Sequence, residues 1–100
     1  MKANAELLFV DGILHPSGKM FRVILKCEDN DDFRTIISRI EDNEQTSGIS
    51  FAGYEAHKHS MAVCRQNNTL DIVPVKCIEV VSRNDHHPAQ VAQYILSLIS

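Results

Sequence analysis

The feature that most constrains the fold is a change of hydrophobic period between residues 19 and 40. Along 19–27, Phe21, Val23, Leu25 and Cys27 alternate with Met20, Arg22, Ile24 and Lys26. That period of two belongs to a strand with two different faces. A few residues later Phe33, Ile36, Ile37 and Ile40 recur at the spacing of one helical stripe. A chain that switches period in this way builds a sheet and lays a helix across it.

Residues 6–14 form a second β-rich run, and His15-Pro16-Ser17-Gly18 reads as the turn joining the two runs into a hairpin. Alternation is poorer in the first run, and Gly12 is the expected site of a bulge. The helix is expected over about 30–43, ending before Gln45-Thr46-Ser47-Gly48. Its start is marked by Glu28-Asp29-Asn30-Asp31-Asp32, which offers capping carboxylates and suits the helix dipole. Further strands are expected at 49–55, 60–66, 69–73 and 75–82. Asn67-Asn68 is the expected two-residue turn, and Pro74 lies at a break or a sheet edge. Pro88 opens a second helix whose stripe is Val91, Tyr94, Ile95, Leu98 and Ile99.

The order is β-β-α-β-β-β-β-α. Its short connections disfavour parallel βαβ units. The expected fold is α+β: an antiparallel sheet of four to six strands with two α-helices packed on one face. At 100 residues the chain is expected to make a single domain. It holds no apolar run of about 18 residues, which disfavours a membrane span. The first residues lack the cationic start and long apolar stretch of a signal peptide. The three cysteines, Cys27, Cys64 and Cys77, are odd in number and widely spaced, unlike a disulfide framework. They read as reduced and packed, so a cytoplasmic location is expected.

Charge is unevenly distributed. The whole chain carries −3, but residues 28–44 hold seven acids against two bases, or −5, leaving +2 for the rest. An overall negative balance disfavours nucleic acid as a partner, because that binding depends on neutralising phosphates. A dense acidic helix suits a protein partner with a basic surface. Glu41, Asp42 and Glu44 lie at the end of the helix where the dipole disfavours acids, at a cost of tenths of a kcal/mol each. With Asp31 and Asp32 they are the candidate partner-binding residues. On this reading the chain is an inhibitor, immunity-type or regulatory protein that occludes its partner.

Two alternatives come from other classes. His57 and His59 share one side of an extended segment and could start a metal site, with Cys64, His86 or His87 as a third ligand. The same His57, His59 and Cys64 would supply a small metal-dependent or Cys/His enzyme. Cys64 lies in an apolar context that opposes thiolate formation. No phosphate-cradling glycine run or hydrolase motif is present, and no cofactor is expected. The third reading is a homodimer joined through its sheet, if Met20, Ile24, Ile78 and Val80 form an apolar second face.

Overall fold

A computed structural model describes residues 2–15, 18–55 and 75–100. Among these, the elements are β1 (Glu6–His15), β2 (Gly18–Lys26), α1 (Asn30–Asp42), α2 (Glu44–Ser47), β3 (Ile49–Glu55), β4 (Val75–Ser82) and α3 (Pro88–Ile99). The strands form one antiparallel sheet in the order β1-β2-β4-β3. The fold is α+β, as the change of period implied. The strands expected at 60–66 and 69–73, with the Asn67-Asn68 turn, lie outside the described residues.

Alternation in β2 gives the expected two faces. Phe21, Val23, Leu25 and, just beyond the strand, Cys27 are buried, whereas Arg22 is exposed and Met20, Ile24 and Lys26 are half-buried. In β4 the buried set on the helix side is Lys76, Ile78, Val80 and Ser82. Ile78 and Val80 therefore do not join Met20 and Ile24 on the second face. The register pairs Val23 with Ile78 and Phe21 with Val80, which puts those four on the same side. The second face carries Met20 and Ile24 with Cys77 and Val81.

Both outer strands carry a bulge. In β1 it lies between Leu7 and Phe9, while Gly12 stays in register opposite Phe21, so the bulge is not at Gly12. In β3 it lies between Phe51 and Gly53. Each bulge brings two side chains three residues apart to the helix side: Leu7 with Val10, and Phe51 with Tyr54. That is why neither outer strand alternates cleanly in sequence.

The α1 stripe is buried as expected, with Phe33, Ile36, Ile37 and Ile40 inside the core. Each such side chain is worth about 1.5–3 kcal/mol when fully buried. The acids of the first turn fit the dipole, and the Asp29 carboxylate accepts from the Asp31 N–H at 2.7 Å. Residues 44–47, expected as a turn, form the short helix α2. It stops at Gly48, whose φ of 73° is left-handed. A Cβ there would lie 2.6 Å from the side-chain nitrogen of the exposed Asn84, which can move aside, so it is the conformation that calls for glycine.

At the start of α3 the His87 ring accepts from the Ala89 N–H, and the Gln90 side chain accepts from the His87 N–H. Pro88 takes the first helical position, where its missing N–H costs nothing. Val91, Ile95, Leu98 and Ile99 face the core. α3 lies over β1 and β2, α1 lies over β3, and the two helices touch. Arg39 ties them by donating to the Leu98 carbonyl, one of the free acceptors at the end of α3.

Candidate functional site

The acidic segment does not form a single patch. Asp29 is used in capping, and Asp31 holds the Arg34 guanidinium at 3.3 Å. Asp32 is half-buried and lines a shallow depression with Lys2 and Lys26. Glu44 begins α2 and accepts a hydrogen bond from the Ser50 hydroxyl at 2.9 Å. Its position is the start of a new helix, where an acid is favoured, rather than the unfavourable end of α1.

Glu41 and Asp42 are different. Both are exposed in the last turn of α1, and no ion pair among the described residues involves either. Asp31 and Asp42 are eleven residues apart, so they share one azimuth of the helix, about 16 Å apart along its axis. Arg39, the base of that turn, leans toward α3. The outward stripe of α1 is therefore acidic at both ends, and among the described residues one end has no compensating base.

Beside this stripe runs a groove of about 760 Å³ between α1 and β3. Its floor is aromatic. The Phe51 and Tyr54 rings lie 6.0 Å apart at an angle of 31°, and Phe33 meets Tyr54 edge-on at 5.6 Å. Tyr54 is 57% exposed, so one part of its ring is open to the groove. Glu41 and Arg34 stand on the α1 side of the groove. The sequence reading did not find this feature. Its one signal was Gly53, because a glycine inside a strand marks a bulge. The bulge at Ala52 turns Tyr54 to the side of Phe51.

The second face of the sheet presents Phe9, 49% exposed, with Met20, Ile24, Cys77 and Val81 half-buried around it. The Arg22–Glu79 pair at 3.4 Å crosses the same face.

His57, His59 and Cys64 lie outside the described residues. Of the proposed third ligands, His87 caps α3 and the His86 Nδ1 contacts the Ser82 hydroxyl. Ser82 also donates to the Asn84 carbonyl and accepts from the Asn84 N–H. The hydrogen bonds balance when His86 Nδ1 carries its proton, so His86 donates to Ser82 and does not activate it as a nucleophile. Among the described residues no three His, Cys, Asp or Glu side chains come together as a metal site.

Cys27 is buried, and burial pushes its thiol above the usual range, more than the nearby Lys76 charge pulls it down. It donates to the Asp29 carbonyl at 3.3 Å. A thiol held neutral and out of solvent is a packing group rather than a nucleophile. Asp85 is fully exposed, and Lys19 beside it holds its carboxyl below the ordinary range. Among the described residues no helix is long and apolar enough to cross a membrane. No family model, curated protein or solved structure matches the chain.

Proposed function

We propose that this chain is a small interaction protein, of the inhibitor, immunity-type or regulatory kind, which acts in the cytoplasm by covering a basic surface on a partner protein. The observation that carries this reading is the uncompensated acidic end of α1. Glu41 and Asp42 are exposed, have no ion pair among the described residues, and sit where the helix dipole disfavours them. Selection for stability alone favours Lys or Arg at those positions. Selection for binding favours acids that steer a basic partner and accept its charged groups. Asp31, Asp32 and Glu44 extend the negative field, although Asp31 also holds Arg34 and Glu44 also holds Ser50.

The test is capture from native extract with the wild-type protein and with Glu41→Lys/Asp42→Lys, at low salt and at about 0.5 M salt, where screening acts within a few ångströms. A partner retained by the wild type should be lost from the reversed variant and at high salt, with the melting temperature of the variant no lower than that of the wild type. Equal retention by both proteins removes the acidic helix from the interface.

The exposed Phe9 and its half-buried neighbours support a second reading, a homodimer formed through the second face of the sheet. Sedimentation should then give a dimer that Phe9→Asp converts to monomer. A monomeric wild type at tens of micromolar ends this reading.

A further inference from the structure

The groove between α1 and β3 is lined by chemistry that selects one kind of side chain. Its floor offers the rings of Phe51 and Tyr54, inclined by only 31°, with Phe33 packed edge-on beneath. Ring faces carry negative potential and attract cations. Its α1 side carries two opposite charges that are not equivalent. The Arg34 guanidinium already has the Asp31 carboxylate at 3.3 Å. Glu41 is exposed and has no ion pair among the described residues. A group entering the groove therefore meets aromatic faces and one carboxylate that no described cation pairs.

An apolar side chain would cover the rings but leave the Glu41 carboxylate desolvated without a partner. A carboxylate would be repelled by Glu41. A planar cation on an apolar stem suits the accessible walls: the stem can cover the half-buried Phe51, the plane can stack on the exposed Tyr54, and the N–H fork can meet Glu41. Arginine fits this better than lysine, whose compact ammonium neither stacks nor binds a carboxylate in two places.

We propose that this groove is the receptor for an arginine side chain of the basic partner. The inference rests on the acidic-helix reading for the existence of that partner, and adds what α1 recognises. Tyr54 and Glu41 are its specificity-determining residues. Asp42, Asp31 and Glu44 supply the longer-range field.

The experiment uses the full chain labelled for amide NMR and two blocked tripeptides, acetyl-Gly-Arg-Gly-amide and its citrulline counterpart. Citrulline has the same shape without the charge. The arginine peptide should shift the amides of β3 and of residues 34–41 saturably. Citrulline should bind at least about fivefold more weakly, in line with loss of a cation–π contact and a charged hydrogen bond. Tyr54→Ala, at an exposed position, should abolish the effect while leaving the other amides in place. Tyr54→Phe keeps the ring and should retain binding. Two results overturn the groove: equal binding of the two peptides, or shifts confined to the ends of α1 and unchanged by Tyr54→Ala. In the latter case the acidic-helix reading survives alone. Conversely, arginine binding that both Tyr54→Ala and Glu41→Lys abolish, combined with no basic partner retained by the wild type at low salt, keeps the groove as an arginine site and ends the wider reading.

Discussion

Lys76 is the residue whose chemistry fits its place least. It is 4% exposed on the helix side of β4, and its Nζ has no hydrogen-bond partner among the described residues. The Phe33 ring offers it a cation–π contact, 5.4 Å from Nζ to the centroid. Such a contact is worth about 0.5–2 kcal/mol, whereas taking an ammonium out of water costs several. The balance is unfavourable, and an apolar side chain of similar length removes the cost. Lys76→Met should raise the unfolding free energy by about 1–3 kcal/mol, read from urea denaturation at neutral pH. A less stable Met variant would mean that the ring contact outweighs desolvation. The substitution also withdraws a positive charge acting on Cys27, so the buried thiol moves further above its usual range. None of this was legible in sequence. The run Val75–Ser82 alternates, and a lysine in it reads as a solvent-facing residue until the register with β2 places it beside Leu25.

At the scale of elements, α1 separates stability from function along one helix. Its first turn obeys the dipole and is capped by Asp29; its last turn carries two acids against the dipole. Opposite responses follow for mutations at the two ends. Asp29→Ala should cost about 1 kcal/mol of stability, the usual worth of a lost cap. Glu41→Lys/Asp42→Lys should leave stability unchanged or raise it by up to about 1 kcal/mol. Urea midpoints of the two variants against wild type decide this, and a reversed variant as destabilised as the cap variant would give those acids a structural role. The helices and inner strands were the legible elements, because each has one buried face and therefore a clean period. In α1 and α3 every expected stripe residue packs in or against the core. The outer strands were not legible, because a bulge resets the period in mid-strand. Leu8 and Ala52 are ordinary residues, and only pairing with the neighbouring strand makes them the extra ones. The five acids were legible as charge, but not the division between Glu44, bound to Ser50, and Glu41, open to the groove.

At the scale of the whole molecule, the described elements β1-β2-α1 and β3-β4-α3 pair up as two ββα sets. Their second strands meet antiparallel at the centre, and each outer strand has one bulge. The order β1-β2-β4-β3 is the one a two-fold axis through the β2–β4 pair would give. Each helix crosses onto the outer strand of the other unit: α1 over β3, and α3 over β1. Neither unit can therefore bury its own helix on its own hairpin in the observed way. The groove is a consequence of the same arrangement, since its α1 wall and its β3 floor come from different units. Cutting the chain between Ser47 and Gly48 tests this interdependence directly. Each fragment alone leaves one helix stripe and one sheet face in water, and at about fifty residues has too little core to compensate. Residues 1–47 and 48–100 should each give the circular dichroism of an unfolded chain. On mixing they should recover helix and sheet together. Association forfeits several kcal/mol of translational and rotational freedom, comparable to the whole stability of a domain this size. Recovery should therefore depend on concentration, with the arginine tripeptide bound only by the mixture. A fragment that unfolds cooperatively by itself as a monomer would show that the crossing of the helices is not what holds the two units together.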